Sequence, residues 1–155
     1  MDSTYYMQIA LKEAQKAFEN DEVPVGAIIV EPKSGKVIAK AGNKSEHGCC
    51  ATAHAEILAM EKACKKLKQN RLWDLEMYVT LEPCTMCAAA ISMMRIKKVY
   101  FATPDPKGGA IINGVHFFDS PTCHHRPKIE YGILQTECSD ILKKFFKNKR
   151  SVTKF

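Results

Sequence analysis

Apolar residues recur at helical spacing from Met7 through Ala10, Leu11, Ala14 and Ala17 to Phe18, predicting an amphipathic first helix. The next apolar run, residues 23–30, is rich in Val and Ile and interrupted by Pro24 and Gly26, which predicts a strand. Pro32-Lys33-Ser34-Gly35 is turn chemistry, and residues 36–41 resume as a second strand, so an antiparallel hairpin is the simplest pairing. Helical spacing returns at Ile57, Met60, Ala63, Cys64 and Leu67, and a short strand at 77–81 leads directly into a helix that starts just after Pro83. Residues 96–101 predict a further strand. From 102 to 127 no period is visible, and Pro104, Pro106, Gly108, Gly109, Gly114, Pro121 and Pro127 punctuate a connection longer than compact domains use idly. Cys138, Ile141, Leu142 and Phe145 form the apolar face of a last helix, with Lys143, Lys147 and Arg150 on its other faces.

This alternation of strand and helix predicts an α/β sandwich in which the later strands run parallel and the first two form an antiparallel edge. A chain of 155 residues, 46% of them hydrophobic, is enough for one domain, residues 1–155, with a substantial core. No apolar stretch approaches the ~18 residues of a membrane span, and an acid stands near the start where a secretory signal carries bases, so a cytoplasmic protein without membrane contact is expected. Seven cysteines, an odd number, argue against a disulfide framework and for reduced, buried or metal-bound thiols. Cys64 and Cys138 fit helix core faces; Cys49, Cys50 and Cys123 acquire no role from the sequence.

The net charge of +6 matters less than its placement. Lys62, Lys65, Lys66, Lys68 and Arg71, and separately Arg95, Lys97 and Lys98, read as solvated faces. Lys143, Lys144, Lys147, Lys149, Arg150 and Lys154 are instead interleaved with Phe145 and Phe146, the mixture that binds nucleic acid by charge and stacking. The period places Phe145 in the core and leaves Phe146 for RNA.

Two short motifs carry the chemistry, His54-Ala55-Glu56 and Pro83-Cys84-Thr85-Met86-Cys87. One imidazole and two thiolates supply three of the four tetrahedral ligands that Zn²⁺ prefers, and the remaining position suits a water that the metal acidifies. Cys84 and Cys87, three apart at a helix start, share one face, and the helix N-terminus lowers thiol pKa values. His54 and Glu56 open another helix, with Glu56 unligated and placed to shuttle a proton. A purely structural site would want a fourth Cys or His, but Cys49, Cys50, His124 and His125 lie in other segments. Fe²⁺ suits similar ligands, with zinc the better match. Together the motifs spell the H-x-E…P-C-x-x-C signature of zinc-dependent nucleobase deaminases.

Across residues 5–150 the sequence closely resembles the bacterial tRNA-specific adenosine deaminases of the cytidine-deaminase superfamily. The resemblance rests on Glu22-Val23-Pro24-Val25-Gly26-Ala27, Thr52-Ala53-His54-Ala55-Glu56-Ile57, Tyr78-Val79-Thr80-Leu81-Glu82-Pro83-Cys84, and Asp105 with Lys107 and Gly109. It implies a three-layer α/β/α sandwich around a mixed five-stranded sheet, one Zn²⁺ per subunit, and a homodimer. The implied reaction converts adenosine to inosine at the wobble position of an arginine tRNA anticodon stem-loop. Hydroxide attacks adenine C6 while Glu56 moves the protons. Carried over by position, Asn43 bonds the flipped nucleoside and Asp105 stands beside the preceding nucleotide, near Lys107. His125 and Arg126 match a pair close to the anticodon loop, and Phe146, Lys147, Lys149 and Arg150 match the family's aromatic and basic last helix. From the residues alone, Asn43 after a strand and Asp105 between prolines are equally turn formers. Gly42, Pro104, Cys49-Cys50-Ala51 and Ala110-Ile111-Ile112 depart from the family pattern. Two rivals share parts of this signature: a deaminase of a free base or nucleoside (guanine, cytosine or cytidine), and a zinc-stabilised RNA-binding protein without turnover.

Overall fold

The computed structural model describes residues 2–152. Helix α1, Ser3–Glu19, starts where the Asp2 carboxylate accepts a hydrogen bond from the Tyr5 amide at 2.9 Å. Strands β1, Gly26–Glu31, and β2, Lys36–Gly42, form the hairpin expected from their turn residues. Helix α2, Ala55–Leu67, ends at Lys68 in the left-handed conformation, followed by β3, Glu76–Leu81, α3, Thr85–Met93, and β4, Lys98–Thr103. A single 3₁₀ turn, Phe117–Asp119, interrupts the long connection before β5, Lys128–Tyr131, and α4, Gln135–Val152.

The sheet order is β2-β1-β3-β4-β5; β1 pairs antiparallel with both β2 and β3, while β3-β4 and β4-β5 are parallel. The expected mixed sheet with an antiparallel edge is therefore what forms. Alternation along the strands divides the core in two. Ala27, Ile29, Met77, Val79, Val99 and Phe101 face α2 and α3, whereas Ile28, Val30, Tyr78, Tyr100 and Ala102 face α1 and α4. Helices thus cover both faces, which gives the three layers.

Helix α1 lies unusually close to the hairpin, and the sequence makes room for it. Gly26 and Gly42 are register partners, and a Cβ on Gly26 would meet the Ala10 carbonyl, while one on Gly42 would stand 2.8 Å from the Glu13 carbonyl.

Two boundaries differ from the sequence expectation. Residues 23–25 are not strand: Pro24 has no N–H to give a ladder, Val25 bonds back to the Val23 carbonyl, and pairing begins at Gly26. The strand expected at 96–101 begins instead at Lys98 and runs on to Thr103, because the Ile96 and Lys97 amides are taken by the Ile91 and Leu75 carbonyls. Cys138 is fully buried on the inner face of α4 and Cys64 packs against the core on α2, as their helical positions predict. Lys154 of the basic C-terminal group lies outside the described residues. Among the described residues, no helix is long and apolar enough to cross a membrane.

Candidate active site

The chemistry-bearing side chains gather where the chain leaves β3 and enters helices. After Leu81 the chain passes through Glu82 and Pro83 to Cys84, the N-cap of α3, and Cys87 follows one turn into that helix. His54 is the N-cap of α2, with extended backbone and no side-chain capping bond, so its ring is committed elsewhere. Its Nδ1 stands 3.6 Å from both Cys84 Sγ and Cys87 Sγ. Tetrahedral bonds of ~2.05 Å to nitrogen and ~2.3 Å to sulfur place such atoms about 3.6 Å apart, so the donor set fits a zinc ion. Among the described residues these three are the one group of potential ligands whose donor atoms lie within 4.8 Å of one another. A fourth protein ligand is absent from that group: Cys49 and Cys50 are exposed, and His125 is bound elsewhere.

The two thiols divide their protons unequally. The Cys87 S–H bonded to Cys84 holds the Cys84 thiol down to about 5, against the opposing effect of burial, and the same bond drives Cys87 up. A thiolate on Cys84 is therefore available at neutral pH. Glu56 lies in the first turn of α2, two residues beyond His54, and is only 4% exposed. Burial raises its carboxyl to about 7.

His54, Glu56 and Cys84 line a cavity of about 220 Å³, together with Val23 and Val25, polar Asn43, and Asp105 and Gly108. Segment 23–25, which failed to become strand, thus serves as an apolar wall. Asn43 is 8% exposed, its Oδ1 accepts from the Ser45 hydroxyl at 3.0 Å, and its Nδ2 donates to Glu22 at 3.5 Å. The amide nitrogen keeps a second N–H, and the side chain lines the cavity.

Both side walls hang on buried glutamates to which sequence reasoning assigned no role. Glu22 accepts bonds from the Glu46 amide at 3.0 Å and from the His47 amide and ring Nδ1 at 2.7 Å each. Burial opposes its charge, but the bonds donated by His47 and Glu46 outweigh it and hold the carboxyl below its ordinary range. Glu82 accepts from the amides of Asp105, Ile111, Ile112 and Asn113 and from the Asn113 side chain, at 2.7–3.1 Å. The available signal is a glutamate at the edge of an apolar run within two residues of a proline, Glu22-Val23-Pro24 and Leu81-Glu82-Pro83; if such a carboxylate is buried it requires a set of donors.

Asp105 is both a turn former and a pocket residue. Its Oδ1 accepts from the Lys107 and Gly108 amides at 3.1 Å each, while the residue lines the cavity. A groove of about 810 Å³ adjoins, sharing Val23, Leu81, Asp105 and Gly108 with the cavity and continuing along α4 past Lys107, Phe146, Lys149 and Arg150. Phe145 is buried against Phe18, whereas Phe146 is 44% exposed on the groove, as the helical period predicts. Lys149 pairs with Asp21 at 2.7 Å and lies over the Phe145 ring. Lys147 lines neither cavity.

His125 and Arg126 are not brought to this place. The His125 Nε2 donates to the Ile96 carbonyl at 2.6 Å and its ring packs edge-on to Trp73, while Arg126 is exposed, 3.8 Å from Asp119. Both precede β5 at the amino ends of the parallel strands, whereas the cavity lies at their carboxyl ends.

Three comparisons with known proteins agree with this geometry. A family model for MafB19-like deaminases matches residues 1–150. The chain is 50% identical over 149 residues to a tRNA-specific adenosine deaminase of Agrobacterium fabrum, covering 96% of this chain and 97% of that protein. A solved structure from a study of A-to-I editing by deaminases acting at the wobble position of transfer RNA superposes with a TM-score of 0.87 and 51% identity, covering 90% of this chain and 99% of that one. A guanine deaminase from Nitrosomonas europaea shares the fold, with a TM-score of 0.82 at 22% identity over 93% of this chain and 84% of that one.

Proposed function

Since the chain belongs to the MafB19-like deaminase family, we propose that it deaminates adenosine in tRNA, converting the wobble adenosine of an arginine tRNA anticodon to inosine with release of ammonia. The observation that carries this reading is the junction of two spaces: a small cavity holding Glu56 beside the His54, Cys84 and Cys87 donors opens into a long groove edged by cations. A cavity of about 220 Å³ falls below the ~300–1,000 Å³ typical of sites that enclose a whole small ligand. It suits a single base turned out of its stack, with the rest of the polynucleotide left outside.

His54, Cys84 and Cys87 would hold a zinc ion, which when bound supplies Lewis acidity and lowers the pKa of a water toward ~7. The chain's own groups carry out the remaining work. The Glu56 carboxylate accepts a proton from the attacking water, gives it to adenine N1, and then assists protonation of the departing amine. Asn43 directs its spare N–H at the base and fixes its orientation, while Val23 and Val25 exclude solvent from its faces. Asp105 and Lys107 flank the entry, and Phe146, Lys149 and Arg150 on the groove serve the neighbouring nucleotides by stacking and charge, with Lys147 adding its charge from outside it. The active form is a homodimer of cytoplasmic location, in which His125 and Arg126 reach RNA from the second copy, because within one chain they stand at the far end of the sheet.

The test is inosine formation by zinc-loaded protein on an arginine tRNA anticodon stem-loop, with free adenosine, cytidine, cytosine and guanine in parallel. Turnover of the RNA alone is expected. Turnover of a free base or nucleoside alone would replace this reading with a small-molecule deaminase, and RNA binding without ammonia release would leave only a binding protein.

A further inference from the structure

We propose that Glu82 is a positioning residue, which fixes the RNA-facing loop at a set distance from the metal-ligand turn; this rests on the tRNA reading above. Glu82 is 2% exposed and, among the described residues, has no cation among its partners. Its charge is balanced by N–H dipoles alone, an arrangement that otherwise binds free anions. Two donors converge on Oε1, the Asp105 amide and the Asn113 side chain, and three on Oε2, the amides of Ile111, Ile112 and Asn113. Both ends of loop 105–113 therefore close on one side chain.

That side chain belongs to the residue two before Cys84, and the Glu82 amide itself donates to the Thr103 carbonyl at 2.9 Å. The path from the thiolate donors to Asp105 thus runs through two peptide units and one carboxylate. The next step repeats the device: the Asp105 carboxylate holds the Lys107 and Gly108 amides through Oδ1. Its Oδ2 accepts no hydrogen bond among the described residues and remains an acceptor at the mouth of the groove. Gly109 completes the seat, because a Cβ there would collide with the Glu82 carboxylate. A cap serving only local stability would not require this reach across 23 to 31 residues to both ends of a loop whose Asp105 and Gly108 line the cavity.

Glutamine is the decisive substitution. It has nearly the same shape but only one acceptor oxygen, so whichever way the amide turns, its NH₂ faces at least two N–H donors. In Glu82→Gln the loop should detach while the donor cluster persists. Expected are an unchanged zinc content, kcat on the stem-loop within about threefold of the unaltered protein, and KM raised about tenfold or more. In ¹H–¹⁵N spectra of the free protein below its melting temperature, the Asp105, Ile111, Ile112 and Asn113 amides should move together while those of α2 stay in place. Asn113→Ala, which removes one side-chain donor, should raise KM about threefold and covers the case in which Glu82→Gln does not fold.

An unchanged KM in either folded variant overturns the proposal, as does a KM increase accompanied by loss of zinc, which would make Glu82 a support of the ligand turn only. If the unaltered protein turns over no RNA, the tRNA reading itself fails, a result distinct from the variants failing to differ from a working parent.

Discussion

The metal donors and the walls of the pocket are held by opposite means. His54, Cys84 and Cys87 stand at helix starts, fixed by the strand and helix to which they belong. Segments 43–47 and 105–113 have no regular structure and are held from 21 to 31 residues away by Glu22 and Glu82. Each donor motif is thus fixed by its own helix start, although His54 meets the two cysteines across 30 and 33 residues, whereas the walls, irregular in themselves, depend on a distant carboxylate for their shape. Damage to the first should remove chemistry, and damage to the second should alter recognition.

The largest effect sharpens that contrast from the side of the donors. Cys87→Ala should lose the metal and all turnover, whereas Glu56→Gln should retain zinc, measured by atomic absorption, while turnover falls by about 10²-fold or more. Full activity in Glu56→Gln would remove Glu56 from the chemistry. Next in size, Glu22→Ala strands the Glu46 and His47 amides and the Asn43 side chain. A cost of about 2 kcal/mol in urea unfolding is expected, with a rise in KM and no loss of zinc. Metal loss in this variant would break the separation between centre and wall.

Acid should open the walls before the sheet. Both Glu22 and Glu82 have carboxyl pKa values lowered in the folded protein, so the stability they contribute is fully present above the unfolded value, about 4.3, and is lost as pH falls through the folded values. Hydrogen exchange at Ile111 and Ile112 should therefore accelerate below about pH 4 ahead of the amides of β1 and β3. Simultaneous acceleration would show that the walls and the sheet form one cooperative unit. The smallest expected effect lies at the groove. Replacing Lys107 and Lys143 together by Ala should reduce the salt dependence of RNA binding by about 1.4 in log-log slope, 0.7 for each single-strand phosphate contact. An unchanged slope would remove the groove from the RNA path.

The same division governs what the sequence discloses. The donors were legible because H-x-E and P-C-x-x-C are compact and each spacing maps onto one helix start. Phe145 and Phe146 were separable for a similar reason, since helical period alone decides which of two neighbours faces the core. The anchors were far less legible: a glutamate at an apolar run near a proline is a weak mark of burial, and most of its partners are backbone amides, which every residue but proline possesses. The strand boundary at Gly26 was misplaced because Val23 and Val25 have the composition of a strand while serving as a pocket wall. His125 illustrates the converse. The family resemblance placed it near RNA, and within one chain the fold sets it at the far end of the sheet from the cavity, with its ring bonded to the Ile96 carbonyl.

The reliance of Glu82 on backbone N–H groups has a consequence for how such a protein changes over generations. An anchor that grips amides is blind to the side chains those amides carry. At positions 105, 111 and 112 it excludes only proline, and Gly109 alone is held by lack of space. At the exposed turn 106–108 side chains can therefore change one at a time while the backbone keeps its shape, so that new preferences arise without a new scaffold.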